Sequence, residues 1–374
     1  MDLIATYANG VSELTNFSQS LERAPLVVDV IVNPHAGFFK RTSTIRKLIL
    51  DLERRLNELR QRTPKRRVEI NAVRFTEYVG HARVITKEIM DREERASSGI
   101  EHLLIACGGD GTSNEICTSL MDAGSALLER LKLVRLPLGS GNDVADARTF
   151  GKAYELILGS QHTVKTGALR VVGGAPRPRY SFNIGSVGLD AFITDLANRL
   201  KRAIPGQAYK TLVDLGSLFY ERRVQPGPMD LRICAGSAET RIEAFRPSMV
   251  VVGTSGGRTY GGHMPVLPGS DNVCVVAAMN LWKKITNKGL FYEGRHGELP
   301  EVSFFRADRV EIDYHGRIPM QLDGEVSWLA EGDFPLSLTV LEPRIRVLRD
   351  DLPVGPSEEP LLSSAVHNLG NRSP

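Results

Sequence analysis

One glycine-rich stretch of the sequence has the residue types of a chemical site. Residues 107–112 read Cys-Gly-Gly-Asp-Gly-Thr; an apolar run precedes them, and a helical pattern that we expect to begin at Asn114 follows them. Glycine lets backbone N–H groups approach a phosphate closely, and a helix N-terminus favours negative charge. Asp110 would repel that phosphate unless a divalent cation or a hydroxyl proton lay between them. The stretch predicts a polyphosphate site, and the alternative is a tight turn in which Asp110 caps the helix.

Alternating strands and helices are expected to position this stretch. The sequence predicts strands at 26–32, 67–75, 103–106 and 133–138, and intervening helices at 42–59, 81–95 and 114–121. This alternation favours a parallel sheet covered by helices, and ligands bind such sheets at the carboxyl ends of the strands. Three of the strands are followed by loops of small residues, at 33–37, 108–112 and 139–143. We therefore expect one cleft that is lined by three loops.

The whole chain divides into segments of different composition and pattern. They are an N-terminal extension at 1–25, an α/β domain at 26–162, a β-rich domain at 163–334, a segment at 335–348 that completes the α/β domain, and a loose tail at 351–374. The extension is expected to contain a short helix at 11–21. Short strands with frequent turns, one of them at 181–184, predict a sandwich for the β-rich domain, with a single helical stretch at 191–220.

Composition limits the classes of protein to which the chain can belong. The 374 residues carry a net charge of only +3 and are 42% hydrophobic, which favours folded domains and gives no indication of nucleic-acid binding. The four cysteines are far apart and the eight histidines are not at metal-ligand spacings, so neither disulfides nor zinc are predicted. No apolar run approaches the roughly 18 residues of a membrane span. We expect a reduced, cytoplasmic protein that associates with a membrane only peripherally.

The motifs of the chain are more specific in combination than singly. Two common nucleotide signatures are missing, since GxxxxGK(S/T) does not occur and the turn at Gly108 does not continue as GxGxxG. The motifs present are, in order, Asn33-Pro34-x-x-Gly37, Gly108-Gly109-Asp110-Gly111-Thr112, Gly139-Ser140-Gly141-Asn142-Asp143 and Asp323-Gly324-Glu325. In this order and spacing they resemble the diacylglycerol kinase catalytic family, which includes sphingosine and ceramide kinases and bacterial soluble lipid kinases. The resemblance covers about residues 27–347.

The resemblance implies an ATP- and Mg²⁺-dependent kinase of a lipid hydroxyl, with diacylglycerol as the expected substrate. It implies an α/β N-terminal domain with a parallel sheet, like that of NAD kinases and phosphofructokinases, and a mainly β C-terminal sandwich. The residues implied to line the ATP cleft are Asn33, Gly37, Gly108, Gly109, Asp110, Gly111, Thr112, Ser140, Asn142 and Asp143. Asp110 would also contact magnesium. The alternatives are an NAD kinase-like enzyme and a nucleotide- or lipid-binding regulator that has lost catalysis.

Phosphoryl transfer to a hydroxyl also needs a group that orients the acceptor and takes its proton. Asp323 is the first candidate for this base. Glu325 lies two residues further on in an expected extended segment and would share the face of Asp323. The alternative interpretation of Asp323-Gly324 is a hairpin turn, and Asp110 is a rival candidate for the base.

The β-rich domain contains three further candidate segments. Residues 180–191 resemble a segment that lies at the cleft in the family, so Asp190 would contact the lipid head group; alternatively, Asp190 caps a helix that begins at Ala191. Many bacterial members hold a structural magnesium with an Asp-Asp-Gly stretch, of which this chain retains only Asp271. Trp282 lies among lysines, a composition typical of membrane interfaces, although packing within the domain is the alternative. The expected partner is a lipid at a membrane surface and not a nucleic acid, and a homodimer is left open.

Overall fold

The computed structural model describes residues 2–18, 26–63, 65, 68–95, 100–139, 141–159, 163–200, 216, 219–220, 222–260 and 264–349. The chain divides into two compact units. Unit 1 contains the chain up to Thr166 and again from Pro343, and unit 2 contains Gly167–Glu342. The first boundary therefore lies a few residues after the predicted one, and the return to unit 1 begins at Pro343 rather than at residue 335. The predicted loose tail at 351–374 lies outside the described residues.

The sheet of unit 1 is parallel, as the sequence predicts. It consists of β1 (Leu26–Val32), β2 (Val68–Phe75), β3 (Glu101–Cys107), β4 (Leu131–Arg135) and the end of the final strand β18 (Leu336–Leu348). The order is β2-β1-β3-β4-β18, and each neighbouring pair is parallel. This order places the carboxyl ends of β1, β3 and β4 side by side. The loops that follow these three strands are therefore neighbours.

The described helices of unit 1 include one at the N-terminus that the sequence analysis misplaced. They are α1 (Leu3–Leu14), α2 (Thr42–Arg62), α3 (His81–Arg95), α4 (Asp110–Leu120), α5 (Ser125–Arg130) and α6 (Phe150–Gly159). The helix predicted at 11–21 begins at Leu3 instead, because Asp2 caps it by accepting a hydrogen bond from its first turn, and it ends at Leu14; residues 19–21 lie outside the described part of the chain. Tyr7, Val11 and Leu14 are fully buried in the core of unit 1. The first residues thus belong to the α/β unit rather than to an extension.

Unit 2 is an antiparallel sandwich, which confirms the predicted fold class. One sheet has the order β14-β13-β10-β7-β16-β17, with β7 (Ile184–Gly188), β10 (Pro247–Gly253), β13 (Val273–Ala277), β14 (Val302–Phe305), β16 (Ile318–Leu322) and β17 (Glu325–Leu329). The other strands are β5 (Thr163–Val172), β6 (Arg179–Ser181), β8 (Met229–Ala235), β9 (Ala238–Phe245), β15 (Arg309–Tyr314), the start of β18, and a separate pair, β11 (Arg258–Tyr260) and β12 (Met264–Leu267). Apolar side chains from both large groups of strands share one core.

Two predictions for unit 2 are wrong. The predicted strand at 181–184 is interrupted at Phe182 and Asn183, between β6 and β7. In addition, the described residues include α7 (Leu189–Leu200) and a separate helix, α8 (Leu281–Glu293), whereas the sequence predicts helical structure only at 191–220, of which residues 201–215 lie outside the described part of the chain. Among the residues of α8 only Lys284 is buried, so the helix lacks the broad apolar stripe by which a sequence indicates an amphipathic helix.

Candidate active site

Three loops of unit 1 are joined by hydrogen bonds at the carboxyl ends of β1, β3 and β4. The side-chain amide of Asn33 donates to Thr112 Oγ1 at 2.9 Å, which connects the first loop to the second. The backbone N–H of Phe38 donates to the carbonyl oxygen of Leu138 at 3.1 Å, which connects the first loop to the third. Gly37 begins a short 3₁₀ helix (Gly37–Lys40) within the first loop. The loops that the sequence analysis selected therefore meet in the folded unit.

The second and third loops touch through their glycine backbones. A Cβ atom on Gly139 would lie only 2.7 Å from the Cα of Gly109. A Cβ atom on Gly141 would lie 2.8 Å from Oδ2 of Asp110. Both distances are shorter than carbon atoms of folded proteins tolerate, so a larger residue at either position would push the loops apart. The glycines of the two motifs thus allow the two loops to pack closely against each other. They also allow a ligand to approach the backbone N–H groups.

Asp110 lies where the two glycine loops meet. Its carboxylate accepts hydrogen bonds from the backbone N–H groups of Asn142, at 2.9 Å, and Val144, at 3.2 Å. Asn142 has a left-handed backbone conformation with φ 59°, and its side-chain oxygen accepts from the N–H of Gly139 at 2.7 Å. Asparagine tolerates this conformation better than most residues. Ser140, which was also predicted to line the cleft, lies outside the described residues.

Helix α4 begins earlier than the sequence predicts. Its first residue is Asp110, four positions before Asn114, because Gly109 has an extended conformation and takes the N-cap position. Asp110, Gly111 and Thr112 consequently form the first turn, where backbone N–H groups have no partner within the helix. Thr112 is buried and Gly111 is exposed. The predicted phosphate loop is therefore largely the N-terminus of a helix, which attracts anions.

Two groups that support these loops were not selected from the sequence. Glu115 of α4 accepts hydrogen bonds from the N–H groups of Gly80 and Ala82, at 2.8 and 3.1 Å, and so ties α4 to the start of α3. Arg135 and Asp146 form a fully buried ion pair with contacts of 2.6 and 3.0 Å. This pair joins the end of β4 to the segment beyond the third loop. For this pair the only signal in the sequence was a charged residue, Arg135, within the predicted strand at 133–138.

Asp323 belongs to unit 2, where it forms a tight turn between β16 and β17. Asp323 and Gly324 have φ values of 51° and 87°, the combination of a type I′ hairpin turn. The carboxylate of Asp323 accepts hydrogen bonds from the Ser181 hydroxyl at 2.6 Å and from the backbone N–H groups of residues 182–184 at 2.7, 3.0 and 3.2 Å. The hairpin alternative is therefore what the structure shows, and the same carboxylate holds the interruption between β6 and β7.

Glu325 does not follow Asp323 in an extended segment. It is exposed, begins β17 and lies opposite Leu322 in the register of the hairpin. The argument that alternation along a strand puts both acids on one face is wrong, because the turn intervenes.

Asp190 is a buried acid in the first turn of α7, with an exposure of 3%. It accepts hydrogen bonds from the Ser186 hydroxyl and from Gln321 Nε2, the latter at 3.3 Å. Burial raises the pKa of Asp190 to about 6, although the two hydrogen bonds act in the opposite direction. Gln321 also accepts a hydrogen bond from the N–H of Gly324 at 2.8 Å. Asp190 is thus connected through Gln321 to the Asp323-Gly324 turn.

The two units match two protein families in sequence. Residues 28–169 match the diacylglycerol kinase catalytic domain. Residues 183–349 match the YegS C-terminal NAD kinase beta sandwich-like domain. The chain belongs to the diacylglycerol kinase and YegS-like family of lipid kinases. Membership implies that this lipid kinase uses ATP.

Curated relatives of this lipid kinase cover most of its two units. A diacylglycerol kinase from Bacillus subtilis is 26% identical over 242 residues, which are 62% of this chain and 74% of the relative. A protein named probable lipid kinase YegS-like from Chromohalobacter salexigens is 29% identical over 240 residues, 62% of this chain and 72% of the relative. The crystal structure of a diacylglycerol kinase from Bacillus anthracis has a TM-score of 0.52 and 16% identity, covering 87% of this chain and 97% of that chain. The last comparison establishes a shared fold.

The predicted magnesium site at Asp271 does not fit the structure of this lipid kinase. Among the described residues no group of three or more His, Cys, Asp or Glu side chains is placed to hold a metal ion. Asp271 is partly exposed, and the next residue, Asn272, is buried and directs its amide at two backbone carbonyl groups.

In the described part of the chain no helix is long and apolar enough to span a membrane.

Proposed function

We propose that this lipid kinase transfers the γ-phosphate of ATP to the hydroxyl of diacylglycerol, giving phosphatidic acid. The cluster around Asp110 is the observation that carries the proposal. There a carboxylate, two closely packed glycine loops and the N-terminus of α4 lie together within the part of the chain that matches the catalytic domain. Phosphoryl transfer depends on such positioned donors and on the neutralisation of phosphate charge.

The nucleotide phosphates are proposed to lie against the first turn of α4. The backbone N–H groups of Gly111 and Thr112 would donate to them, while the Asn33–Thr112 hydrogen bond holds the first loop in place. A bound magnesium ion would spread the charge of the phosphates. Asp110 fits such an ion, because its two donors among the described residues leave acceptor capacity on a carboxylate that can accept about four hydrogen bonds. Asn142 and Asp143 are proposed as further contacts of the nucleotide.

The acceptor side of the reaction is proposed to involve the Asp323 turn of unit 2. Asp323 remains the first candidate for the base, and Glu325 a candidate for orienting the acceptor or a metal. The four donors on Asp323 support a role in holding the turn, so a catalytic role would be an additional one. The burial of Asp190 supports a positioning role through Gln321, and its contact with a lipid head group stays a prediction.

A substrate panel tests the proposed activity. The purified full-length protein is incubated with radiolabelled ATP and with mixed micelles that contain diacylglycerol, sphingosine or ceramide, and in parallel with NAD. We expect label in phosphatidic acid, in a reaction that requires magnesium. Label in NADP alone would show an NAD kinase-like enzyme instead. ATP binding without product on any lipid would indicate a regulator that has lost catalysis.

We also propose that the enzyme works at the surface of an anionic bilayer and that α8 contacts it. The helix exposes Leu281, Trp282 and Ile285, with Trp282 75% exposed. Lys288 of the same helix is partly exposed and supplies charge of the sign that anionic lipids attract, whereas Lys284 is buried and Lys283 forms an ion pair with Glu301. Tryptophan with neighbouring apolar and basic residues is typical of helices that lie in a membrane interface.

Vesicle co-sedimentation tests this surface. We expect the wild type to bind vesicles of phosphatidylcholine and phosphatidylserine and the Trp282→Ser variant to bind several-fold less. Leu50→Ser is a matched control, because Leu50 is a 62% exposed apolar residue on α2 of unit 1. Equal loss in both variants, or binding by Trp282→Ser at the wild-type level, would contradict the assignment of α8. Kinase activity on short-chain, soluble diacylglycerol should be unchanged in both.

A further inference from the structure

An amide closes the loop in which the family resemblance implies a structural magnesium. Asn272, the residue after Asp271, has an exposure of 5%. Its Nδ2 donates to the carbonyl oxygen of Ala307 at 2.9 Å and to that of Gly253 at 3.3 Å, and its Oδ1 accepts from the N–H of Ala307 at 2.8 Å. The N–H of Gly253 donates to the backbone carbonyl of Asn272 at 2.7 Å. One side chain thus joins the end of β10, the start of β13 and the segment between β14 and β15.

We infer that the side-chain amide of Asn272 takes the place of a divalent cation in this loop. Unit 2 therefore needs no metal ion at this position, and the single substitution Asn272→Asp creates a site for Mg²⁺ or Ca²⁺. Hard cations of this kind are bound by carboxylate and backbone carbonyl oxygens.

The chemistry of the two carbonyl groups explains why an amide can take the place of a cation in this loop. The carbonyl oxygens of Gly253 and Ala307 both lie within hydrogen-bond distance of Nδ2, which as an NH₂ group has one proton for each. A carboxylate at residue 272 would place an oxygen beside both carbonyl oxygens. Three oxygen atoms without a proton between them repel one another in a buried site, and a divalent cation removes the repulsion by binding all three. Asp271 lies one residue away and would add charge of the sign that favours the cation.

Thermal unfolding followed by tryptophan fluorescence tests the inference. Both tryptophans of the chain, Trp282 and Trp328, lie in unit 2, so the signal reports the unit that contains Asn272. The wild type, Asn272→Asp and Asn272→Ala are compared in EDTA, in Mg²⁺ and in Ca²⁺, without nucleotide. Asn280→Asp is a matched control, because Asn280 caps α8 through its side-chain oxygen and Asp caps helices equally well.

We expect the wild-type and Asn280→Asp midpoints to be the same in EDTA and in either cation. Asn272→Asp and Asn272→Ala should both unfold several degrees lower in EDTA, roughly 5 °C for the loss of one buried hydrogen-bonded group from a protein of this size. A cation should restore the midpoint of Asn272→Asp only. An Asn272→Asp midpoint that no cation raises would overturn the inference. If Asn272→Asp does not fold at all, the wild type decides the question. A wild-type midpoint that rises with cation, and no longer does so in Asp271→Asn, would overturn the inference. A wild-type midpoint that does not depend on cation would support the inference.

Discussion

One carboxylate in each unit holds a backbone loop, and the two differ in how completely their oxygens are used. Asp110 in unit 1 accepts two N–H groups from the loop at 142–144. Asp323 in unit 2 accepts a hydroxyl and three N–H groups from residues 181–184. An ionised carboxylate has about four acceptor positions. Among the described residues, hydrogen bonds within the fold therefore use the acceptor positions of Asp323, whereas Asp110 retains capacity for a ligand.

The difference separates two tasks that a sequence motif does not distinguish. A carboxylate whose oxygens are engaged by the backbone stabilises a particular loop conformation, and removing it leaves buried donors without partners. A carboxylate with remaining capacity beside a helix N-terminus can bind a cation that also contacts phosphate. The comparison favours Asp110 for the nucleotide and gives Asp323 a structural task, whatever its part in catalysis.

The largest effect is expected for Asp323→Asn. Turnover should fall about 10²- to 10⁴-fold if Asp323 is the base, and the free energy of unfolding of unit 2 should fall by about 1–3 kcal/mol, because charged hydrogen bonds to the 181–184 loop are lost. Asparagine accepts the left-handed conformation of residue 323, so backbone strain is not added. Initial rates with lipid and urea unfolding by tryptophan fluorescence measure the two effects separately.

The two readouts test the two tasks of Asp323 independently. A wild-type rate would exclude Asp323 as the base, and wild-type stability would contradict its role in holding the loop. Ser181→Ala removes one donor and no charge, so it should lower the stability of unit 2 by about 1 kcal/mol and leave Mg·ATP binding unchanged. Asp313→Asn, at an exposed position of β15, is the control for the loss of a carboxylate in the same unit.

The second prediction concerns the pH dependence of unit 2, which follows from Asp190. Its pKa of about 6 lies above the ordinary value of 3.8, so the folded protein holds the proton more tightly than the unfolded chain. Its contribution to stability is therefore complete below about pH 4 and is lost as the pH rises through 6. At about 1.36 kcal/mol per pKa unit, the full change is about 3 kcal/mol. Asp190→Asn should abolish this change, since the amide does not titrate.

Urea unfolding of the wild type and of Asp190→Asn between pH 4 and pH 8 measures this difference. The stability of the variant relative to the wild type should increase as the pH rises. Parallel curves would mean that Asp190 titrates alike in the folded and unfolded chain. Gln321→Glu adds a second carboxylate beside Asp190 and should steepen the fall in stability, because like charges in a buried site repel.

The contrast between the two carboxylates also marks what the sequence could predict. Strand β1 and helix α3 have the predicted limits, because apolar periodicity is a local signal. The meeting of the three glycine loops follows from the parallel order of β1, β3 and β4. The partners of Asp323 lie about 140 residues away in the chain, so no local pattern could indicate them. The start of α4 was missed for a related reason, since a glycine N-cap gives no side-chain signal.

The smallest of the three effects is expected for Asp110→Asn. One carboxylate oxygen becomes an NH₂ group that cannot accept from Asn142 or Val144, and the negative charge beside the proposed cation is lost. We expect the dissociation constant of Mg·ATP to rise about ten- to hundredfold, the equivalent of one charged hydrogen bond of about 1.5–3 kcal/mol.

Titration calorimetry with Mg·ATP and with ATP in EDTA shows which part of the loss belongs to the cation. If Asp110 binds magnesium, the variant should lose affinity for Mg·ATP and little affinity for free ATP, whereas a purely structural role would weaken both equally. Asp122→Asn, an exposed acid just beyond α4, should bind like the wild type. An unchanged affinity of Asp110→Asn for Mg·ATP would remove the functional difference between Asp110 and Asp323, because both carboxylates would then serve only to hold loops.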